Sequence, residues 1–324
     1  MNRSVASACN RRDFLAAAAA GAAALALPRG AGAAGFKTTL KKSMIGSPTE
    51  ELLTAWKAAG FDGIESKDRA ATPEAAAAAR KIAESMGMRI HSVLFGWASF
   101  NSDDAAAVDR DVTAMETTLR AAQAYGADAV LLVPCRTGVK PIPEPWDFRI
   151  AFDDKTGHVT RVVEGDNAPF QPYIEAQNQA TDRSRRAVER LIPAAEKAGV
   201  VIALENVWNN LWVQPALFAH FVASFQSRWV RAYFDIGNHV KYAPPEAWLR
   251  ALGPQIAKCH IKDFQLNPDG HGGKFVHPRD GSVNWPVVRK TLDDIGYNGW
   301  LTIEDNGLSL EEFSQRLDLI VAGQ

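Results

Sequence analysis

Four side chains that can bind a metal stand at matching places in four successive apolar segments, which end in ALEN, YFDI, CHIKD and TIED. Three carboxylates brought together without a counter-charge would repel one another strongly, and a divalent cation would neutralise them. Three oxygen ligands and one nitrogen ligand suit Mn²⁺, Mg²⁺ or Co²⁺ better than a structural zinc site. The sequence therefore predicts a site for one divalent metal, Mn²⁺ first, with Mg²⁺, Co²⁺ or Zn²⁺ as alternatives. Its predicted ligands are Glu205, Asp235, His260 and Glu304.

The elements that would position these ligands are repeated strand and helix patterns. Eight short apolar runs alternate with eight helical patterns, which favours a parallel sheet closed into a (β/α)₈ TIM barrel. The alternative, an open doubly wound sheet, would favour a glycine-rich phosphate-binding turn after its first strand. The corresponding segment, MIGSPTEE, has no such motif. The predicted strands cover 42–46, 61–66, 88–95, 128–134, 200–206, 230–236, 256–263 and 300–305.

The strand ends of a TIM barrel explain why polar residues close the apolar run IAKCHIKDF, residues 256–264. The carboxyl ends of all strands in this fold meet at one rim, where active sites are built. Because side chains alternate along a strand, Lys262 lies on the same face as His260. Asp263 then points the other way, and we expect it to cap the following loop.

A long segment interrupts the alternation after the fourth predicted strand. We assign 137–178 as a lid-like insertion, followed by a helix from about residue 180 to 198. Within it, RIAF and HVTRVV flank Asp-Asp-Lys-Thr-Gly, which indicates a β-hairpin. Long loops in compact domains are usually functional lids or disordered, and the strand pattern favours a folded excursion at the barrel mouth. A dimer contact is the alternative.

The first 33 residues have the layout of an export signal. Arg11 and Arg12 precede Phe-Leu and an alanine-rich apolar run, and Ala31-Gly32-Ala33 provides a cleavage site. The paired arginines resemble the twin-arginine type of signal. We therefore expect residues 34–324 to form a single barrel domain in the periplasm, without a membrane anchor once the signal is removed.

The charge composition of the chain argues against nucleic acid as a partner. Without residues 1–33 the chain keeps 32 Lys and Arg against 36 Asp and Glu, so no basic surface for nucleic acid is indicated. The mature chain has two cysteines, Cys135 and Cys259, both inside strand-like runs. These are expected to be two buried thiols rather than a disulfide.

The segments ALEN, YFDIGNH, CHIKDF, GSVNW (281–285) and LTIEDN resemble the xylose-isomerase-like superfamily of sugar isomerases and epimerases. The resemblance covers nearly the whole mature chain and is strongest over 199–306. It implies that the four predicted ligands hold one divalent metal and that Glu205 and Glu304 form a proton-transfer pair facing each other across a small carbohydrate substrate. Barrels of this superfamily often form homo-oligomers, but the sequence shows no contact face.

Departures from the family pattern affect the substrate contacts. The family commonly has a histidine three residues after the aspartate of the sixth strand, where this chain has Asn238, followed by His239. Lys262 replaces an arginine that often follows the histidine of the seventh strand. We take the candidates for hydroxyl recognition to be Asn206, Trp208, His239 and Lys262. Secondary candidates for the same role are Arg136 and the strand-end residues Glu65 and His91.

The chemistry implied is proton removal beside a carbonyl, with the metal lowering the cost of the enediolate and carboxylates acting as general acid and base. Reprotonation gives an isomerase or epimerase of a sugar or cyclitol ketone. Expulsion of a β-substituent gives a lyase or dehydratase acting on a keto sugar or 3-keto-glycoside, and the sequence does not separate these outcomes. A DNA repair nuclease would need additional metal-binding histidines that the segment VLLVPCR lacks. A sugar-binding protein without activity would leave two glutamate ligands unexplained.

Overall fold

The computed structural model describes residues 35–324, and its centre is a closed barrel of eight parallel strands. Neighbouring strands follow the order β1-β2-β3-β4-β7-β8-β9-β12, and the last strand pairs with the first. The predicted (β/α)₈ barrel is therefore confirmed. The strands are β1 Leu40–Gly46, β2 Gly63–Ser66, β3 Arg89–Trp97, β4 Ala129–Val133, β5 Ala151–Phe152, β6 Val159–Arg161, β7 Val201–Glu205, β8 Val230–Asp235, β9 Ile256–Ile261, β10 Asp263–Leu266, β11 Gly273–Val276 and β12 Gly299–Ile303.

Eight α-helices surround the barrel in the described part of the chain, and several begin where the sequence supplies a capping oxygen. Thr49, Thr72, Asp104 and Ser309 each accept a hydrogen bond from a backbone N–H in the first turn of the following helix, a contact that stabilises a helix start. The helices are α1 Glu50–Ala58, α2 Pro73–Ser85, α3 Ala105–Tyr125, α4 Gln171–Ala198, α5 Pro215–Ala223, α6 Pro245–Leu252, α7 Trp285–Asp294 and α8 Leu310–Val321.

The insertion after β4 differs in length from the prediction. The predicted hairpin is present as the antiparallel pair β5–β6, but α4 begins at Gln171 rather than near residue 180. Pro172 occupies the first turn, where the missing N–H costs nothing, and Tyr173 is buried with its hydroxyl donating to the Asn210 carbonyl. Residues 171–178 therefore belong to the helix, and the excursion, which we call the lid, covers 134–170.

A second excursion follows β9 and was not predicted. The strands β10 and β11 form an antiparallel hairpin around the polar turn NPDGHGG. The lid and this hairpin touch, because the rings of Trp146 and His271 stack with centroids 4.3 Å apart. Two excursions that leave the barrel after different strands are thus joined at its mouth.

The space inside the barrel is partly polar. His91 is fully buried, stacks on Trp300 with ring centroids 4.3 Å apart, and its Nε2 lies 2.8 Å from the Ser43 hydroxyl. Burial is the main reason why the pKa of His91 lies well below its usual value. His91 therefore acts as a neutral packing residue inside the barrel.

The two cysteines of the described chain are free and buried, as predicted. Burial raises the pKa of Cys135 and of Cys259 to about 12, so neither is a reactive thiolate at neutral pH.

Within residues 35–324, no helix has the length and apolar character needed to cross a bilayer. The predicted export signal, 1–33, lies outside the described residues.

Candidate metal centre

The four predicted ligands meet at the carboxyl ends of β7, β8, β9 and β12. One ligand atom from each of Glu205, Asp235, His260 and Glu304 lies within 4.8 Å of the others. Ligands on opposite sides of a small divalent ion are separated by about 4 to 5 Å, given metal–oxygen distances near 2.0–2.6 Å. The side chains of Asp235 and His260 are fully buried, and Glu205 is nearly so. The backbone therefore places all four groups at the spacing that a single cation requires.

Asp235 is held in place by its own turn and by the neighbouring strand. Its Oδ1 accepts hydrogen bonds from the backbone N–H groups of Gly237 and Asn238. Asn206 binds the Asp235 backbone on both sides, accepting from its N–H at 2.7 Å and donating to its carbonyl at 2.9 Å. With Oδ1 occupied, Oδ2 is the oxygen left for a ligand role.

His260 is oriented by a carboxylate on β2, a strand that is not its neighbour in the barrel. Its Nε2 lies 2.7 Å from Oε2 of Glu65, which also accepts a hydrogen bond from the Tyr233 hydroxyl at 2.9 Å. A histidine that donates one ring N–H to a carboxylate presents its other nitrogen to a metal. The other nitrogen, Nδ1, points into the cluster, 2.8 Å from Glu304 Oε2 and 3.4 Å from Glu205 Oε1. Glu65, a secondary candidate for hydroxyl recognition in the sequence, thus contacts a predicted metal ligand instead.

Lys262 joins the cluster from the same face of its segment as His260, as the alternation predicted. Its Nζ lies 2.9 Å from Glu304 Oε1 and 3.6 Å from Asp235 Oδ2. The close approach depends on Gly237, because a Cβ atom there would lie 2.6 Å from the Lys262 Cβ. Lys262 therefore supplies a fixed positive charge beside Glu304.

The two glutamates of the cluster have different acidities. Burial raises the pKa of Glu205 to about 7. Burial also acts on Glu304, but His260 and Lys262 outweigh it and lower its pKa to about 2. Burial likewise opposes a charge on His260, yet Glu65 and Glu304 hold its pKa well above the usual value. Glu304 is thus ionised at neutral pH, whereas Glu205 can carry a proton.

The donor set fits a divalent cation. Asp235 Oδ2 and Glu304 Oε2 are buried without a geometrically satisfactory hydrogen bond, and buried carboxylate oxygens are seldom left so. The oxygen-rich composition and the oriented imidazole match the preferences of Mn²⁺, Mg²⁺ and related ions. Metal binding by these residues stays a prediction, and the structure supplies the geometry it needs.

The four candidates for hydroxyl recognition have different surroundings. Asn206 uses its amide to hold Asp235, and the buried His239 has its Nε2 2.9 Å from the Val207 carbonyl. Both are engaged with backbone, so we assign them to positioning. Trp208 is 39% exposed and Lys262 lies at the cluster, so these two remain our predicted substrate contacts.

Three further polar side chains, those of Asp263, His277 and Arg136, have partners outside the metal cluster. Asp263 accepts hydrogen bonds from the loop that follows it, as predicted. His277 has Nδ1 2.7 Å from Asp305 Oδ2, and Arg136 lies over the ring of Trp97.

Comparison with known proteins agrees with this architecture. The sequence profile of the family described as xylose isomerase-like TIM barrel matches residues 53–320. An inosose dehydratase from Klebsiella pneumoniae (strain 342) is 31% identical over 158 residues, which cover 43% of this chain and 50% of that protein. The chain spans about half the length of the curated relatives it matches.

Solved structures share the fold at low sequence identity. The IOLI protein, crystallised with a zinc atom, has a TM-score of 0.64 and 17% identity, covering 87% of this chain and 98% of that one. The 3-keto-D-glucoside 4-epimerase YcjR from E. coli has a TM-score of 0.62 and 13% identity, covering 87% and 99%. These similarities establish the barrel fold.

Proposed function

This chain belongs to the xylose isomerase-like TIM barrel family, and we propose that it is a divalent-metal-dependent isomerase or epimerase of a sugar or cyclitol ketone. The observation that carries the proposal is the cluster of Glu205, Asp235, His260 and Glu304 within 4.8 Å. Family relatives include epimerases and a dehydratase that act on small carbohydrates or cyclitols, which supports the same substrate class here. Mn²⁺ is our first choice of metal, with Mg²⁺, Co²⁺ and Zn²⁺ as alternatives.

The four clustered side chains would hold the metal. When bound, the ion supplies positive charge beside the substrate's carbonyl and adjacent hydroxyl oxygens, which lowers the cost of the enediolate. The protein's own contribution is a pair of carboxylates with different proton affinities.

Glu304, kept ionised by Lys262, takes the proton from the carbon next to the carbonyl. Glu205, whose pKa burial raises to about 7, returns a proton at a second position or from the other face. A bound cation would lower both pKa values, and the contact with Lys262 at 2.9 Å keeps Glu304 the more acidic group. Return of the proton to a second carbon gives isomerisation, and return to the same carbon from the other face gives epimerisation.

A lyase or dehydratase is the second candidate, favoured by the partial match to inosose dehydratase. Both reactions begin with the same proton abstraction. They diverge when the enediolate either takes up a proton or expels a β-substituent. The cluster serves both outcomes, and product analysis distinguishes them.

The test joins metal analysis with solvent exchange. The mature protein is purified, its metal is quantified, and it is incubated in D₂O with keto sugars, inososes and 3-keto-glycosides followed by NMR. We expect about one metal per chain and deuterium at a carbon beside the carbonyl. Isomeric products indicate the first candidate, and an eliminated fragment indicates the second.

Two variants check the residue assignment. Glu304→Gln and Glu205→Gln should each lower the exchange rate about 10²- to 10⁴-fold, the usual contribution of general acid–base catalysis. Glu312→Gln, an α8 residue paired with Arg316, is the control and should exchange at the wild-type rate. A wild-type protein that holds no metal and exchanges no substrate would refute the proposal.

We also propose that residues 1–33 direct export by the twin-arginine route to the periplasm. Replacing Arg11 and Arg12 by Lys should leave the full-length protein in the cytoplasm, whereas the unaltered chain should be found processed in the periplasm. Equal export of both forms would exclude the twin-arginine route.

A further inference from the structure

Two exposed aromatic rings lie side by side next to the candidate metal centre. Phe275 on β11 is 44% exposed and Trp208 after β7 is 39% exposed, with ring centroids 4.8 Å apart. Large apolar side chains this exposed are few among residues 35–324: the others are Trp97 and Val139. We call Trp208 and Phe275 the aromatic step.

The aromatic step is rigidly supported. Phe264 is buried and packs edge-on against both rings, at 5.7 Å from Trp208 and 5.3 Å from Phe275. The indole N–H of Trp208 donates to the Asn238 carbonyl. A supported aromatic pair loses little side-chain entropy on binding a ligand, so the step is preorganised to receive one.

The aromatic step is continuous with the catalytic cluster. Lys262, whose Nζ is 2.9 Å from Glu304 Oε1, has the same atom 5.7 Å from the centre of the Phe275 ring. Asn238, which accepts from Trp208, has its Oδ1 3.4 Å from Lys262 Nζ. A substrate ring reacting at the cluster would therefore place a substituent over the aromatic step.

The surroundings of the aromatic step suit a ring with an apolar face and polar edges. Lys241 lies with Nζ 3.4 Å from the centre of the Trp208 ring, where its ammonium can donate to ligand oxygens. The hairpin that carries Phe275 is held to the lid by the stack of Trp146 on His271. Aromatic walls with a few polar groups are typical of sites for small ring-containing ligands.

We propose that the substrate is a glycoside rather than a free monosaccharide, with its keto-sugar ring at the cluster and its second ring on Phe275 and Trp208. The second ring is either an aromatic aglycone or another sugar, since both offer an apolar face to stack. This inference rests on the proposed function and adds the size and chemistry of the substrate to it.

The test compares substrates that differ only in the second ring. Metal-loaded mature protein is titrated by calorimetry with the methyl, phenyl and glucosyl forms of 3-keto-β-D-glucoside, and deuterium exchange in D₂O is followed in parallel. We expect the phenyl or the glucosyl form to bind about tenfold more tightly than the methyl form, as stacking contributions predict. The stronger of the two identifies the second ring.

Two variants test whether the preference for ring-bearing glycosides depends on the aromatic step. Phe275→Ala should raise the Kd and KM of the preferred ring-bearing substrate about tenfold, with kcat and the methyl glycoside unchanged. Trp97→Ala is the control, because Trp97 is 43% exposed at the end of β3 and packs with Arg136 instead of the aromatic step.

The outcomes separate this inference from the proposed function. Equal binding of all three glycosides, or equal effects of Phe275→Ala on all three, would overturn the second-ring subsite while exchange of deuterium upheld the proposed function. Tighter, Phe275-dependent binding of a ring-bearing glycoside without any exchange would support the subsite and overturn the proposed chemistry.

Discussion

Two buried aspartates at the same end of the barrel have contrasting surroundings. Asp235 is the last residue of β8, Asp263 lies two residues after the end of β9, and both are fully buried. Asp263 has both oxygens satisfied, while Asp235 has Oδ2 without a hydrogen-bonding partner. The five donors to Asp263 are the backbone N–H groups of Phe264, Arg279, Gly281 and Val283 and the indole of Trp285.

The contrast distinguishes a structural carboxylate from a ligand-binding one. Asp263 organises the loop that leads into α7, because its two oxygens collect donors from 279–285. Asp235 commits one oxygen to its own turn and leaves the other directed to the cluster. Burial alone would not have distinguished them, whereas the hydrogen-bond inventory does.

The strongest test of the contrast is Asp235→Asn. The amide retains an oxygen for the turn but removes a charged ligand, so we expect metal affinity to fall at least about 100-fold, beyond the usual effect of an outer-shell change. Metal-free stability should stay the same or rise, because repulsion among the carboxylates is relieved. Calorimetric metal titration and thermal unfolding measure the two quantities. A variant with wild-type metal affinity would remove Asp235 from the ligand set.

The converse test is Asp263→Asn. Its NH₂ group would face donors that now bind a carboxylate oxygen, so we expect the free energy of unfolding to fall by about 2 kcal/mol. The melting temperature should decrease by roughly 3 °C. Metal affinity of the folded variant should match the wild type. If metal binding were lost while stability was kept, the two aspartates would have exchanged roles.

Glu65 combines features of both aspartates, because one of its carboxylate oxygens has hydrogen-bonding partners and the other has none. We expect its substitution to have the smallest effect of the three. Its Oε2 is satisfied by His260 and Tyr233, but its Oε1 is buried without a partner. Glu65→Gln should weaken metal binding about tenfold, the lower range for partners that orient a histidine ligand. Tyr233→Phe is the matched control, since it removes one donor to Glu65 and keeps the contact with His260. Equal effects of both variants would contradict an orienting role for Glu65.

Local sequence patterns were sufficient to predict the barrel and to bring the four clustered side chains to one rim. The barrel strands are short and largely apolar. Because they are all parallel, a polar residue at the carboxyl end of any strand lies at the same rim of the barrel. The start of α4 was misplaced because QPYIEAQNQA carries few large apolar residues, although Pro172 marks a helix start.

The contacts that complete the site depended on tertiary structure. Glu65 and His260 are on β2 and β9, which are separated by β1 and β12 in the barrel, so no sequence spacing relates them. Asn206 and His239 have polar side chains in suitable segments, but only the folded backbone shows that each binds a main-chain group. The β10–β11 hairpin was missed although Asp269-Gly270 is a turn signal, because its two strands are only four residues long.

The close approach at Gly237 has an evolutionary consequence. Any side chain there would press on Lys262, since even a Cβ would meet its Cβ at 2.6 Å and its carbonyl oxygen at 2.8 Å. The atoms that a Cβ at 237 would meet, the Cβ, carbonyl carbon and carbonyl oxygen of residue 262, do not depend on the rest of the lysine side chain. Position 237 should therefore stay glycine in descendants of this barrel, whichever side chain stands at 262.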